Sequence, residues 1–208
     1  MFFIFRIIII VIEVLVLYYS AGGNTKKLAN LIARGIDSID GVLARIRTVP
    51  KVSAVCEKIE EEIPDSGSPY VTLKDLQECK GLALGSPVRF GNMSSHLKYF
   101  LDSTSHDWLS GTLSGKPACV FTSGGSMHGG QETTLLSMMI PLLHHGMLIM
   151  GLPYTESKLM TTTTGGTPYG VSRHSGINDD IELSDDEKFL AIAQGKRIAE
   201  LCLTMFKQ

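Results

Sequence analysis

Five short apolar segments alternate with helical patterns along this chain, and that alternation constrains its fold more than any other feature. The segments are residues 8–19, 42–49, 81–85, 117–123 and 147–150. After the first segment, apolar side chains recur every three to four positions from Leu28 to Ile36, which predicts a helix. Apolar strands that alternate with helices are typical of a doubly wound parallel sheet. The 208 residues therefore predict one α/β domain, with five parallel strands and helices on both faces.

The remaining patterns complete this prediction. Helices are expected at residues 72–78, 94–104 and 132–145, and the third is apolar all round, which predicts burial. Residues 151–183 are predicted to form a long loop that contains TTTTGGTPYG. Ser184 and Glu187 form a capping-box pattern. It opens a final helix whose predicted core face carries Phe189, Ile192, Ala199, Leu203 and Phe206.

The N-terminal run MFFIFRIIIIVIEVLVLYY is nearly all apolar. Arg6 and Glu13 interrupt it, and charges within a membrane span are costly. Its β-branched and aromatic residues favour a buried parallel strand. We therefore expect no membrane span, and we interpret residues 1–7 as an N-terminal extension or an extra strand before the domain.

Composition excludes several classes of function. The 19 basic and 21 acidic residues include no basic stripe, so we expect no nucleic-acid partner. The four cysteines lie far apart and form no CxxC, which favours reduced, mostly buried thiols and a cytoplasmic location. His144 and His145 are adjacent on a predicted helix and point about 100° apart, so we predict no metal site.

The junction between the first strand and the first helix, residues 20–25, reads Ser-Ala-Gly-Gly-Asn-Thr. A helix N-terminus presents N–H groups and a partial positive charge, which suit an anion such as phosphate. The Walker A pattern and the GxGxxG fingerprint are both absent. Judged by itself, the junction is equally consistent with phosphate binding and with a plain strand-to-helix turn.

Two further glycine-rich loops follow predicted strands, at residues 85–93 and 122–131. The first carries Arg89 and Phe90, and the second carries hydroxyls and bare backbone. Ligands of doubly wound sheets bind outside the carboxyl ends of the strands, where all three loops should meet. A planar ring that bears amide groups could be bound there by main-chain N–H and C=O groups.

Five segments, VLYYSAGGNT, GSPVRFGNMSSHLKYFLDST, HGGQETT, LLHHGM and GGTPYG, occur in the order and spacing of one known family. Together they resemble the WrbA family of flavodoxin-like NAD(P)H:quinone oxidoreductases, from about Val14 to Phe206. The resemblance implies a flavodoxin-like fold, bound FMN, and NADH or NADPH as electron donor. It also implies two-electron reduction of quinones to hydroquinones by ping-pong hydride transfer, and a homotetramer.

The resemblance also assigns residues. Its phosphate loop falls on Ser20, Ala21, Gly22, Gly23, Asn24 and Thr25. The segment at the flavin ring falls on Pro87, Val88, Arg89, Phe90, Gly91 and Asn92. The third flavin loop falls on Thr122, Ser123, Gly124, Gly125, Ser126 and Met127. His145 is implied as a flavin contact and Trp108 as a residue that stacks on the substrate, while the flavin itself carries the chemistry and no side chain is assigned as catalytic.

One position departs from the pattern, since some family members have a tyrosine that contacts the nicotinamide nucleotide where this chain has Gly22. The sequence therefore implies no preference between NADH and NADPH. Two other roles remain open on the sequence: a flavodoxin-type electron carrier, and a non-catalytic flavin-binding partner of a regulatory protein. We also expect neighbouring subunits of the tetramer to order the TTTTGGTPYG segment.

Overall fold

A parallel sheet forms the centre of the computed structural model, which describes residues 11–52 and 67–206. Residues 1–7 and the expected start of the first strand at residue 8 lie outside the described residues. The strands are β1 Ile12–Tyr18, β2 Val42–Thr48, β3 Gly81–Pro87, β4 Pro117–Gly124, β5 Leu148–Ile149 and β6 Val171–His174. They follow the order β2-β1-β3-β4-β5, and β6 also pairs with β4, so the predicted five-stranded parallel arrangement is confirmed.

Two short strands share the edge beside β4. β5 pairs with Pro117 and Ala118 at the start of β4, and β6 pairs with its end, from Phe121 to Gly124. The fifth strand predicted over residues 147–150 is confirmed as the shorter β5, whereas the prediction of a plain loop to residue 183 was wrong, because that segment contains a short helix, Ser157–Thr161, and β6. VSRH is short and polar, and its pairing depends on β4 rather than on a local apolar pattern.

Seven helices connect the described strands. They are α1 Asn24–Asp37, α2 Leu73–Glu78, α3 Ser95–Asp102, α4 Ser105–Leu109, α5 Gln131–His144, α6 Ser157–Thr161 and α7 Asp185–Phe206. The single helix expected over residues 94–104 ends at Asp102, and α4 follows it as a separate turn. The predicted capping box of α7 is confirmed, because Glu187 N–H donates to Ser184 Oγ at 3.1 Å and Ser184 N–H donates to Glu187 Oε2 at 2.9 Å.

The sheet separates two apolar cores. On one face, Val14, Val16 and Phe121 pack with residues of α1 and α7. On the other, Leu15 and Leu17 pack with residues of α2, α3 and α5. Alternate side chains of one strand thus serve opposite cores, which is why its sequence is continuously apolar. Helices on both faces are confirmed.

Burial within two helices differs from the prediction. Leu136, Ile140 and Leu143 of α5 are exposed, so this helix is apolar all round but buried on one side only. In α7, Phe189 is exposed, and the buried face carries Leu190, Ala191, Gln194, Gly195, Ile198, Ala199 and Cys202. Small residues such as Ala191, Gly195 and Ala199 occur on this face beside larger ones because α7 lies close to α1 and to the sheet.

The closest approach between α1 and α7 depends on two glycines. A Cβ added at Gly195 would lie 2.0 Å from the carbonyl oxygen of Ile32, and one added at Gly35 would lie 2.2 Å from that of Ile192. Both distances are far below van der Waals contact. Glycine is therefore required at both positions for the helices to pack at this spacing.

The TTTTGGTPYG segment is hydrogen-bonded within its own chain. Glu187 is fully buried, and its Oε1 accepts hydrogen bonds from the N–H groups of Gly165 at 3.0 Å and His174 at 2.9 Å. Gly166 N–H donates to Ser172 Oγ at 2.8 Å. A buried carboxylate of α7 thus holds this segment to β6 within one chain, and the ordering by neighbouring subunits stays a prediction. Among the described residues, no helix has the length and apolar character that a membrane crossing requires.

Candidate flavin site

Loops at the carboxyl ends of the strands enclose a cleft of about 440 Å³. Cavities of this size are typical of small-molecule sites. The predicted residues that line it are Ser20, Ala21, Gly22, Asn24, Thr25, Pro87, Val88, Arg89, Ser123, Gly124, Gly125 and Ser126. The structure therefore brings together residues from all three loops that the sequence singled out.

The first loop leads into α1 without a side-chain cap. Gly23, with φ of 90°, occupies the N-cap position and has no side chain that could accept from the first N–H groups of the helix. Ser20 Oγ accepts a long bond of 3.3 Å from Lys26 N–H. No acidic residue lies in the first turn of α1 itself, so no side chain of the helix opposes the positive end of its dipole. This end of the cleft has the character of an anion site.

A buried hydroxyl pair joins the first and third loops. Thr25 Oγ1 and Ser123 Oγ share a hydrogen bond of 2.8 Å, and both side chains are almost fully buried. The third loop is in turn joined to the second, because Val88 N–H donates to the carbonyl of Ser123 at 2.8 Å. These bonds hold the three loops at defined positions around the cleft.

The second loop is a tight turn over Arg89 to Asn92. Arg89 N–H donates to the carbonyl of Asn92 at 2.9 Å, and Asn92 N–H donates back at 3.0 Å. The two central residues, Phe90 and Gly91, have φ of 53° and 72°. A phenylalanine with positive φ is uncommon, and such strained positions cluster at functional sites. The Phe90 side chain is fully exposed at the tip of the turn and does not line the cleft.

Two neutral aromatic side chains lie close to Arg89. The rings of Tyr19 and His96 stack with centroids 4.0 Å apart and an angle of 6° between their planes. Burial raises the pKa of Tyr19, although the nearby Arg89 charge opposes this rise. Burial lowers the pKa of His96, and the charges of Arg89 and Lys51 lower it further. Arg89 therefore brings a positive charge to this end of the cleft beside two groups that are uncharged near pH 7.

A fourth loop, which the sequence analysis missed, completes the cleft. Ser175, Gly176, Ile177 and Asp179 follow β6 and line it together with Gly129. Ser175 N–H donates to the carbonyl of Gly124 at 2.9 Å, and Asn24 Nδ2 donates to Asp179 Oδ1. Because β6 was not predicted, the loop at its end could not be placed beside the others. The turn-forming run Gly-Ile-Asn-Asp after VSRH was the only local signal.

Some predicted residues do not line this cleft. Thr122 is buried and its Oγ1 donates to the carbonyl of Ser86 at 2.8 Å, so it joins β3 to β4. The others lie in the same loops without lining the cavity: Gly23, Phe90, Gly91, Asn92 and Met127. Contact between these five residues and a flavin stays a prediction.

Trp108 and His145 lie together in a different place. They line a second cavity of about 450 Å³, between α3, α4 and α5, which shares no lining residue with the cleft. Trp108 Nε1 donates to the carbonyl of His144 at 2.8 Å, and Thr104 Oγ1 shares a hydrogen bond of 2.9 Å with His145 Nε2. Burial lowers the pKa of His145, which keeps its imidazole neutral near pH 7. Within one protomer, neither side chain lines the cleft.

Comparison with known proteins identifies the family of this chain. A family model described as NADPH-dependent FMN reductase matches residues 12–157. A Solidesulfovibrio magneticus protein named NAD(P)H dehydrogenase (quinone) is 38% identical over 201 residues, covering 91% of this chain and 97% of that protein. A Syntrophobacter fumaroxidans protein of the same name is 39% identical over 196 residues, covering 91% of this chain and 96% of its own length.

Solved structures have the same fold. A flavodoxin, WrbA-like protein from Agrobacterium tumefaciens matches with a TM-score of 0.63 at 19% identity, covering 92% of this chain and 98% of that chain. A flavodoxin from the domain Archaea matches with a TM-score of 0.60 at 21% identity, covering 92% and 99%. The flavodoxin-like fold is thus confirmed. Together with the family model and the two curated relatives, this confirms the resemblance found in the sequence: the chain belongs to the NADPH-dependent FMN reductase family, with the NAD(P)H dehydrogenases (quinone) as relatives over nearly its whole length.

Proposed function

We propose that this protein is an FMN-dependent NAD(P)H:quinone oxidoreductase that reduces quinones to hydroquinones by two electrons. The observation that carries the proposal is the convergence of the uncapped α1 N-terminus with the Arg89 turn and the Gly124–Gly125 backbone around one cleft. Family membership supports a flavin as the ligand. The printed names of both relatives support the nicotinamide donor and the quinone acceptor.

The cleft fits both ends of FMN. At one end, the first turn of α1 and the hydroxyls of Ser20 and Thr25 offer donors for a phosphate. At the other, Val88 and Arg89 face the backbone of Gly124 and Gly125, where side chains would leave little room. A Cβ added at Gly124 would lie 3.1 Å from Val88 Cγ2, and one at Gly125 would lie 3.1 Å from the carbonyl oxygen of Gly176. The glycines therefore let the second and fourth loops pack closely against the third, whose bare N–H and C=O groups can face the amide groups of a flavin ring.

FMN, when bound, supplies the ability to take two electrons as hydride from a nicotinamide and return them to a quinone. The residues of this chain supply position and electrostatics. Arg89 holds a positive charge at the edge of the cleft, where it would stabilise negative charge on a reduced ring. Tyr19 and His96 add no competing charge, because burial shifts both pKa values toward their neutral forms.

The main alternative is a flavodoxin-type electron carrier. Such carriers are usually strongly acidic, so that they can dock on a basic partner. This chain has 19 basic and 21 acidic residues, so it lacks the strong negative charge of such a carrier.

We also propose a cytoplasmic location, because the cysteines in the described part are free, buried thiols. Burial raises the pKa of Cys79 to about 11 and that of Cys119 to about 12, which keeps both thiols protonated.

If the protein is an enzyme, a nicotinamide nucleotide should bleach its bound flavin, and double-reciprocal plots of its initial rates should be parallel. FMN-loaded protein should lose its flavin absorbance near 450 nm within seconds of mixing with NADH or NADPH in the absence of oxygen (about 1 s⁻¹ or faster, as for a working enzyme). Steady-state initial rates with p-benzoquinone should give parallel double-reciprocal lines, since donor and acceptor would take turns in one cleft. Failure of both nucleotides to bleach a flavin-loaded protein would favour the carrier.

We further propose that the protein is a homotetramer in which the Trp108 cavity of one copy covers the cleft of another. Trp108 is 48% exposed although it lies in a cavity, and the exposed apolar residue Ile140 of α5 lines the same cavity. An exposed apolar surface of this kind is typical of an interface. The arrangement would bring Trp108 and His145 to the flavin, which they do not reach within one protomer.

Replacement of Trp108 with alanine is therefore expected to affect one half-reaction. The rate with quinone should fall about tenfold, as expected for loss of a stacking contact, while flavin reduction by NADH changes by less than about twofold. Trp108→Phe should retain most of the quinone rate. Phe189→Ala removes an equally exposed aromatic side chain far along the chain on α7 and serves as control. Light scattering that gives a monomer at all concentrations would contradict the assembly.

A further inference from the structure

A carboxylate lies where the anion of a ligand is expected. Asp179 Oδ1 accepts a hydrogen bond from Asn24 Nδ2, the first residue of α1. The other oxygen, Oδ2, is 3.9 Å from the position that a Cβ at Gly22 would occupy. The carboxylate thus lies over the first loop, at the positive end of the α1 dipole.

A buried arginine lies behind the same point. Arg173 on β6 is in register with Ser123 and is 1% exposed. Its Nη2 donates to the carbonyl of Ile181 at 2.8 Å and lies 3.9 Å from Asp179 Oδ1. Among the residues that the structure describes, its Nε and Nη1 have no hydrogen-bond partner. A buried guanidinium with vacant donors is costly unless an anion compensates it, so this position is built for negative charge.

We propose that Asp179 is a built-in competitor for the phosphate of the cofactor. Its carboxylate holds Asn24 and faces the Arg173 charge until the phosphate displaces it, and Arg173 then serves as the counter-charge of the phosphate. The inference rests on the proposed FMN-dependent function and deepens it. Asp179 and Arg173 would then adjust how strongly the site, whose phosphate donors are the α1 N–H groups and the first-loop hydroxyls, distinguishes a phosphorylated flavin from an unphosphorylated one.

The loop that carries Asp179 is suited to this exchange. It is attached at its start, where Ser175 N–H bonds to the carbonyl of Gly124, and at its end, where Ile181 N–H bonds to the carbonyl of Ser175 at 3.0 Å. Asp179 itself is 42% exposed on its side chain and has φ of 60°. The carboxylate can therefore move into solvent, whereas Arg173 on β6 stays in place.

The test measures binding rather than turnover. Apoprotein carrying Asp179→Asn or Asp179→Gly is titrated with FMN and with riboflavin by calorimetry. Asparagine and glycine both tolerate positive φ, so the loop should keep its fold. We expect the dissociation constant for FMN to fall by more than about threefold and that for riboflavin to change by less than about twofold, because only FMN carries the competing charge.

Asp180→Asn is the matched control, since it makes the same charge change one residue away on a side chain that does not line the cleft. The proposal is overturned if the dissociation constant for FMN changes by threefold or less in both Asp179 variants. It is also overturned if Asp180→Asn lowers that dissociation constant as much as the Asp179 variants do. If the wild-type protein binds FMN and riboflavin equally, the proposed phosphate site is contradicted as well. If the wild type prefers FMN but the Asp179 variants bind it as the wild type does, only the role of Asp179 is contradicted.

Arg173 gives a second, independent measurement. Arg173→Gln should lower the preference for FMN over riboflavin about tenfold, and Arg173→Lys should keep most of it, because lysine preserves the charge. Circular dichroism checks that both are folded. If the glutamine variant folds and keeps the full preference, Arg173 is not the counter-charge and the proposal fails. If Arg173→Gln does not fold, the titrations of the Asp179 variants alone test the proposal.

Discussion

FMN is expected to bind the apoprotein at least about 100-fold more tightly than riboflavin, because hydrogen bonds to a charged group contribute about 1.5–3 kcal/mol each and two of them already give this ratio. The donors are the first N–H groups of α1, which have no side-chain cap, together with the hydroxyls of the first loop. FAD should bind poorly, because a loop closed on a phosphate monoester leaves no path for an attached adenosine.

Calorimetric titration with the three flavins measures this directly. Ser20→Ala should reduce the preference for FMN several-fold, whereas Ser157→Ala, an exposed serine at the start of α6, should not change it. Equal dissociation constants for FMN and riboflavin would show that the first loop is a plain strand-to-helix turn, the alternative that its sequence left open.

Gly195→Ala is expected to destabilise the protein by at least about 2 kcal/mol. Alanine is a better helix former than glycine by about 1 kcal/mol, so helix propensity alone predicts stabilisation. The added Cβ, however, would lie 2.0 Å from the carbonyl oxygen of Ile32, which is backbone and cannot rotate away. Overpacking of this kind costs about 1–3 kcal/mol, and separating α1 from α7 would expose further buried side chains such as Leu190 and Ile198.

Thermal unfolding, monitored by circular dichroism, shows whether Gly195→Ala lowers or raises the stability of the protein. A loss of 2 kcal/mol corresponds to a midpoint about 4–8 °C lower for a domain of this size. Lys196→Ala, at the adjacent exposed position of α7, should change stability by less than about 0.5 kcal/mol. A midpoint that rises in Gly195→Ala would mean that the two helices do not pack as closely as described.

Much of the fold follows from local patterns. The apolar runs of β1 and β4 are long enough to identify buried parallel strands, and the spacing from Leu28 to Ile36 identifies α1. Because ligands of such sheets bind at the carboxyl ends of the strands, the three glycine-rich loops could be assigned to one cleft before the structure was known. Twelve of the predicted loop residues do line it: Ser20, Ala21, Gly22, Asn24, Thr25, Pro87, Val88, Arg89, Ser123, Gly124, Gly125 and Ser126.

What local patterns could not reveal depends on partners distant in the chain. β6 has only four residues, and it forms a strand because β4 offers an open edge and because Glu187 and Gln194 of α7 bind the N–H groups of His174 and Val171. The fourth loop and Asp179 follow β6, and no apolar periodicity in the sequence predicts their position. The separation of Trp108 from the cleft, and the exposed side of α5, likewise depend on how helices pack across the sheet.

The sequence by itself thus determined the five strands β1 to β5, their parallel sheet and the location of the cleft, since each depends on residues close together in the chain. Only the tertiary structure decided which residues face Asn24, which arginine lies behind it and where Trp108 and His145 point. These contacts join residues far apart in sequence, such as Asn24 and Asp179, and depend on the packing of α7 and β6 against the rest of the domain. A contact of that kind has no local periodicity from which it could be predicted.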